Sequence, residues 1–337
     1  MKNPPISRKF LTGFFSKIPS WRRLAAAAAL AVSWACWAAF SPEIAACNAP
    51  AEVRPPPQTS SDFSAAKTAI RLCTWNVHNY NVSGRRVGGA YAEVPKPEAE
   101  KVALRKALAS ISADVVIIQE MGDAAFLSEL QADLARDNAV YGYAFLTSQD
   151  SPSRLAMLSR IKPEKIFDFG RIEFDLKGEG KVSARGTLGA EFVTNGVRWR
   201  AFAVHLKSAV GARKRDENFI PFRFAELRAI DGKIASAGLE NIPVIVAGDF
   251  NQEGDCALLG NISRMRLSPL AQEDSQGKSY TFHWRKKEKF LTYDFMLISP
   301  EAAKYAPPKA IVFSDAPDAS DHRPVYADFD FSDKNKL

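Results

Sequence analysis

Five short stretches of this chain share one design: an apolar, β-rich run joined to a cluster of polar, chemically capable residues. They are Cys73-Thr74-Trp75-Asn76, Ile117-Ile118-Gln119-Glu120, Phe202-Ala203-Val204-His205, Val246-Ala247-Gly248-Asp249-Phe250-Asn251 and Ser320-Asp321-His322-Arg323-Pro324. Polar groups gathered at strand ends face a common cleft at the edge of a sheet, which is where α/β folds keep their sites. Three of only four histidines follow or interrupt β-rich runs. The combination constrains the fold more than any single residue does.

The intervening sequence supplies the rest of an α/β chain. Alternating or continuous apolar runs predict strands at residues 69–77, 115–119, 155–158, 165–174, 184–194, 197–205, 244–247, 290–297 and 325–329. Apolar residues at helical spacing predict helices over 98–112 and 123–137, and a long helix fits 222–237. Residues 84–97 carry Gly and Pro and read as a loop. Asn195-Gly196 marks a hairpin turn. Many strands, few helices and some hairpins argue for mixed sheets rather than one parallel sheet.

The first 68 residues have a different character. Basic residues up to Arg23 precede an apolar, alanine-rich run from Leu24 to Phe40, the order of an export signal or an N-terminal membrane anchor over residues 1–46. Basic residues ahead of that run would keep its start cytoplasmic and send the folded part outward, to a periplasmic, membrane-tethered or extracellular location in a bacterium. Ile44-Ala45-Ala46-Cys47 resembles a lipoprotein box, in which Cys47 would carry lipid. Residues 47–68, with Pro55-Pro56-Pro57, read as a tether, residues 69–331 as one catalytic domain and 332–337 as a tail. The leader also holds much of the charge. The net charge of +7 falls to about +2 once residues 1–46 are removed, so the basic balance does not identify the substrate. Of the cysteines, Cys73 and Cys256 are read as free thiols or as a disulfide pair, and no thiolate metal-ligand spacing occurs.

Each polar cluster suits one task in cleaving a phosphate ester. Glu120 is a hard oxygen ligand for Mg²⁺ or Mn²⁺, with Asn76 beside it as a neutral oxygen or amide donor. Asp249 can accept a proton from attacking water, and Asn251 can hold that water or a phosphoryl oxygen. His205 and His322 can donate hydrogen bonds to charge building on phosphorus, and Asp294 is a candidate carboxylate partner for one of them. No carboxylate partner for His205 is evident. His78 reads as an exposed loop histidine. The segment Thr281-Phe282-His283-Trp284 reads either as a stacking platform for a base or headgroup, or as a surface turn with packed aromatics.

The order WN, QE, HL, GDFN, YD and SDHRPV resembles the endonuclease–exonuclease–phosphatase superfamily over about residues 69–331. That resemblance implies an α/β four-layer sandwich of two packed mixed β-sheets flanked by helices. It also implies a metal-dependent phosphodiester hydrolase. Glu120 would be the metal ligand, with Asn76 close by and Asp321 near the metal. Asp249 and Asn251 would activate or orient water, and His322, oriented by Asp294, would bind the scissile phosphate. His205 would occupy a second histidine position. The expected cofactor is Mg²⁺ or Mn²⁺, with Ca²⁺ as a supporting ion. Export and the basic stretch at residues 207–215 favour a nucleic-acid substrate. A phospholipid or sphingomyelin headgroup is the alternative within the superfamily, and an inactive surface binding module is the alternative outside catalysis. No obligate protein partner is implied.

Overall fold

In a computed structural model the described residues are 67–208, 220–238, 241–253 and 264–332. The expected leader, the tether up to residue 66, Cys256 and most of the basic stretch at 207–215 lie outside them. Among the described residues no helix is long and apolar enough to cross a membrane.

The first half of the chain forms strands β1 (Ala69–Tyr80), β2 (Val82–Val87), β3 (Ala90–Pro95), β4 (Val115–Met121), β5 (Tyr143–Leu146), β6 (Arg154–Ser159), β7 (Lys165–Asp168), β8 (Arg171–Leu176) and β9 (Gly180–Arg185). The second half forms β10 (Leu188–Thr194), β11 (Val197–His205), β12 (Val244–Asp249), β13 (Ser268–Pro269), β14 (Gln272–Glu273), β15 (Phe282–Trp284), β16 (Lys289–Leu291), β17 (Asp294–Ile298), β18 (Ala310–Val312) and β19 (Val325–Asp330). The helices are α1 (Glu98–Ile111), α2 (Ala124–Arg136), α3 (Ile220–Ala235) and the short α4 (Pro300–Ala303).

Two mixed sheets result. One has the order β14-β18-β19-β1-β4-β6-β5 and the other β13-β17-β12-β11-β10-β7. Parallel pairs are β1 with β4 across α1 and β14 with β18 in the first sheet, and β11 with β12 across α3 in the second. The sheets bury their inner faces against each other: Ile70, Leu72 and Ile117 from the first meet Trp199, Ala203, Ile245, Ala247 and Met296 from the second. On the outer face of the first sheet, Leu104, Leu108 and Ile111 of α1 and Leu127, Leu130 and Leu134 of α2 cover Trp75, Val116 and Ile118. On the outer face of the second, Leu227, Ile230 and Ile234 of α3 cover Phe202, Val204 and Val246. In α1 and α2 these spacings are the helical stripes read from the sequence. The layers are therefore helix, sheet, sheet and helix, as the resemblance implied.

Several expected elements divide. The run at 165–174 becomes β7 and β8 because Gly170, at φ +46°, turns the chain between them. The run at 184–194 likewise breaks at Gly186-Thr187, and 290–297 breaks before Asp294. The supposed loop at 84–97 is mostly the β2–β3 hairpin, whose residues are exposed and therefore lack the apolar alternation that marks a half-buried strand. Strands β5 and β18, of four and three residues, gave too little periodicity to be seen. The Asn195-Gly196 turn is present between β10 and β11, with both residues at positive φ.

Alternation also explains why the chemistry collects at one rim. Inward-facing residues of β1 run Ile70, Leu72, Thr74, Asn76; those of β11 run Trp199, Ala201, Ala203, His205; those of β12 run Ile245, Ala247, Asp249. Antiparallel β17 reaches the same rim by its first residue, opposite Asp249. Close approach of β11 and β12 depends on Gly248, which has φ +149° and whose added Cβ would lie 1.9 Å from the carbonyl oxygen of Val204. Substituting Gly248→Ala is expected to lower stability by on the order of 3 kcal/mol, read as a fall in the urea midpoint with an unchanged slope. A midpoint equal to the parent's would refute this account of Gly248.

Candidate active site at the sandwich rim

Asp249 is the centre of the hydrogen-bond network. It is 1% exposed, yet its carboxylate accepts three N–H donors: Asn76 Nδ2 at 3.0 Å, Asn251 N at 2.7 Å and Asn251 Nδ2 at 3.2 Å. Asn251 stands at φ +49°, a left-handed conformation that asparagine tolerates, and its amide also donates to Leu206 O at 3.0 Å. Burial pushes the Asp249 carboxyl up to about 7; the neighbouring Asp294 acts in the same direction, against His322 and the hydrogen bond from Asn76.

His322 lies between two acids. Its Nδ1 meets Asp294 Oδ2 at 2.8 Å, and its Nε2 lies 3.8 Å from Asp249 Oδ2. Burial alone would lower its pKa, but Asp294, Asp249 and Asp321 outweigh burial and raise it to about 10. The ring is thus an imidazolium at neutral pH. Backbone contacts fix it: Trp75 Nε1 donates to His322 O at 2.9 Å, and His322 N donates to Ser320 Oγ at 3.1 Å. Asp294 is oriented in turn by Thr281, whose Oγ1 accepts from Asp294 N and Tyr293 N at 3.0 Å each. Ser320 and Thr281 appeared in the sequence reading only as members of longer motifs, with no role of their own; Ser320 Oγ also donates to Asn76 O at 2.8 Å, tying β1 to the His322 loop.

Glu120 reaches the site by breaking alternation. Gln119 holds the inward position and donates to Thr74 Oγ1 at 3.0 Å. Glu120 has φ +63° at an irregularity where β4 gains a residue relative to β6. Its Oε1 accepts from Asn76 Nδ2 at 3.2 Å and its Oε2 from Asn79 N at 2.9 Å. His78 and Asn79 share the positive-φ backbone. His78 is not isolated on a loop: its Nδ1 is 3.7 Å from Asp321 Oδ1, and its backbone N donates to Asn76 Oδ1 at 3.0 Å. The site therefore extends across His78.

His205, lacking an evident acidic partner in the sequence, has a basic one here. The Arg185 guanidinium donates to Nδ1, which must then carry a lone pair, so Nε2 bears the hydrogen. Nε2 lies 3.6 Å from Asp249 Oδ2 and 3.9 Å from Glu120 Oε1. Burial, then Arg185 and His322, hold the His205 pKa well below its usual value. The two histidines are thus opposites, one neutral and one charged, about a single carboxylate. Arg185 ends β9, a strand not separated from β10 in the sequence reading, which is why the pairing was missed.

Among the described residues, the tightest group of ligating types is Asp249, Asp294 and His322, whose candidate atoms lie within 4.8 Å of one another. Within that trio His322 Nδ1 is already engaged by Asp294 Oδ2, which makes it a hydrogen-bonded cluster in this structure. Hard oxygen donors suited to a divalent cation lie elsewhere. Glu120 keeps its side chain 20% exposed, with unused lone pairs on both oxygens, and Asp321 is 24% exposed beside His78. The donor chemistry fits a Mg²⁺-like ion.

The charge cluster predicts a pH signature of stability in metal-free protein. The folded His322 pKa lies above its unfolded value near 6.5, so its stabilisation is fully present below about pH 6.5 and is lost as pH rises through about 10. Replacing Asp294→Asn should flatten this alkaline limb in chemical-denaturation curves taken from pH 6 to 10.5. An alkaline limb as steep as the parent's would contradict the assignment.

The Endonuclease/Exonuclease/phosphatase family model matches residues 73–322. No curated protein matches the chain. The catalytic domain of human Nocturnin, solved with bound sulfate anion, aligns with TM-score 0.53 and 19% identity, covering 79% of this chain and 96% of that one. The 3′ phosphatase NExo from Neisseria, bound to product DNA hairpin, aligns with TM-score 0.54 and 17% identity over 77% and 99% of the two chains. The beta toxin of Staphylococcus aureus gives 0.53 and 15% over 77% and 99%. At these identities the structural likeness speaks to the fold alone. The family match, which runs from the first cysteine of β1 to His322, identifies the chain as a member of the Endonuclease/Exonuclease/phosphatase family, hydrolases that act on phosphoester bonds.

Proposed function

We propose that this chain is an exported, divalent-metal-dependent nuclease that cleaves DNA or RNA phosphodiesters by attack of water on phosphorus. The observation that carries the chemistry is a buried carboxylate held near neutrality next to a buried imidazolium, Asp249 and His322, with Nε2 and Oδ2 3.8 Å apart. A base and a cation so close to each other suit a reaction in which a proton leaves water while negative charge grows on phosphoryl oxygen.

In this reading Asp249 takes the proton from the attacking water, and Asn76 and Asn251 hold its carboxylate in place through their amides. His322 donates Nε2–H to a non-bridging oxygen of the scissile phosphate, while Asp294 retains Nδ1–H and preserves the positive charge. His205, neutral and with Nε2–H fixed by Arg185, supplies a second donor without adding charge. Glu120, with Asn76 and Asp321 nearby, would hold a Mg²⁺ or Mn²⁺ ion that lends positive charge to the phosphoryl oxygens. The nucleic-acid substrate is supported by the relative solved with a DNA hairpin, and export by the leader composition.

With plasmid DNA, RNA, sphingomyelin vesicles and a chromogenic phosphodiester offered in parallel, polynucleotide cleavage in Mg²⁺ and none in EDTA is expected. Asp249→Ala and His322→Ala should each lower kcat by roughly 10²–10⁴-fold with folding intact. Cleavage that survives full chelation, or sphingomyelin hydrolysis without polynucleotide hydrolysis, would overturn the reading. The kcat/KM profile should rise with pH through about 7 as Asp249 loses its proton and fall through about 10 as His322 does. A flat profile across that range would remove these two groups from the rate equation.

A further inference from the structure

The β15–β16 hairpin is rooted in the catalytic pair and cationic at its tip. At the root, Phe282 forms a β-bridge with His322, and the two rings lie 4.7 Å apart. Phe282 also stacks on Tyr293 at 5.2 Å, and His283 N donates to Asp321 O at 2.9 Å. The root of the hairpin is therefore packed directly on the group assigned to the scissile phosphate. Its tip, Arg285-Lys286-Lys287-Glu288-Lys289, carries four basic residues and one acid, all exposed.

Aromatic rings line the same hairpin. Phe290 is 52% exposed and lies against His283, with ring centroids 4.4 Å apart and planes 15° from parallel. Lys287 Nζ sits 4.0 Å above the Trp284 ring. Exposed lysines interleaved with partly open aromatics are the surface that follows a sugar-phosphate backbone and accepts base faces. The reach fits as well. Between Phe282 and Lys286 the chain is strand to Trp284 and a 3-10 turn over Arg285–Lys287, so the tip reaches at most about 11 Å from the root at roughly 3.3 Å per strand residue and about 2 Å per turn residue. With one phosphate per about 3.4 Å of axis on each strand, the tip lies within a few phosphates of the scissile one.

We propose that the β15–β16 hairpin is a polynucleotide-binding arm, whose Lys286, Lys287 and Lys289 engage backbone phosphates flanking the scissile phosphate held at His322. The proposal rests on the nuclease reading above and adds to it where the polymer lies. A small phosphodiester would end before the tip, so the arm acts on polymers alone. An anionic membrane is the competing occupant. Four cations favour it electrostatically, but the ring plane of Phe290 is committed to His283 rather than projecting as a free wedge for lipid.

The test is the full-length protein with Lys286→Ala, Lys287→Ala and Lys289→Ala combined, beside a triple Lys→Arg control. Turnover of a chromogenic diester should stay within about two-fold of wild type, showing an intact catalytic centre. For an oligonucleotide duplex, KM should rise on the order of 10- to 100-fold, and the slope of log KM against log salt should fall by up to about 2.7, three released phosphates at 0.9 each. The Lys→Arg control should match wild type. Fluorescence anisotropy of a labelled oligonucleotide in EDTA should show the same loss of binding without turnover. If wild type cleaves DNA and the alanine variant keeps the same KM and salt slope, the arm is refuted while the nuclease reading survives. If only binding to phosphatidylserine vesicles is lost, the arm is a membrane contact and the proposal falls. If wild type cleaves no polynucleotide, both fall together.

Discussion

Two carboxylates and an imidazolium share a space closed to water, and the geometry of the rim follows from keeping them there. An isolated charge in such a place is costly, and burial of a single unpaired ion would be relieved by neutralising it. Here His322 stands between Asp294 at 2.8 Å and Asp249 at 3.8 Å, so the cluster carries at most one net negative charge. That residual charge is spread over three amide donors on Asp249. Each member is tolerable only because the others are present. This explains why the surrounding backbone is so fully engaged: Trp75, Ser320 and Thr281 spend their polar atoms holding the strands that carry the cluster.

The sandwich makes this arrangement available almost without local adjustment at some positions and only through strained backbone at others. Asn76, His205, Asp249 and Asp294 occupy the inward positions that alternation assigns them. Glu120 does not, and its arrival at the site coincides with φ +63° and a strand irregularity. His78, Asn79 and Asn251 add three further positive-φ residues within the same few contacts. Such conformations cost of order 1–3 kcal/mol each and persist where surrounding contacts over-determine them. Other non-glycine residues with positive φ, such as Ser112, Asn195 and Glu288, lie at helix ends and turns, where that conformation is ordinary, whereas these four gather at one rim of the sandwich.

Much of this was legible in the sequence, for a definite physical reason. Strand ends that open onto a rim change from apolar to polar within two residues, so Asn76, His205 and Asp249 announced themselves at the junction. The amphipathic stripes of α1 and α2 were equally plain because each covers a sheet face, whereas α3 was legible as a long helix without a marked stripe. What escaped falls into two kinds. Exposed hairpins such as β2–β3 carry no burial pattern, and short edge strands such as β5 are too brief to show a period. Partners distant in sequence, Arg185 for His205 and Thr281 for Asp294, leave no local trace, since their pairing exists only after two separate elements are folded side by side. The cationic partner of His205 was the least foreseeable, because sequence reasoning looks for a carboxylate beside a catalytic imidazole.

That unexpected partner sharpens how the two histidines divide their work. A carboxylate at Nδ1 raises a ring's proton affinity, and a guanidinium at the same atom lowers it while fixing the tautomer. Had both rings been paired with acids, two imidazolium groups would face Asp249, and repulsion between them would oppose the compact site. Had both been neutral, no fixed cation would meet the phosphate. In the proposed mechanism, one of each gives two N–H donors around Asp249 with a single positive charge. The cluster so arranged can serve many phosphate esters, since nothing in it reads the group beyond phosphorus. Discrimination among substrates must therefore come from elements around the rim, and among the described residues the β15–β16 hairpin, tied by Phe282 to His322 itself, is where we place the polymer contact.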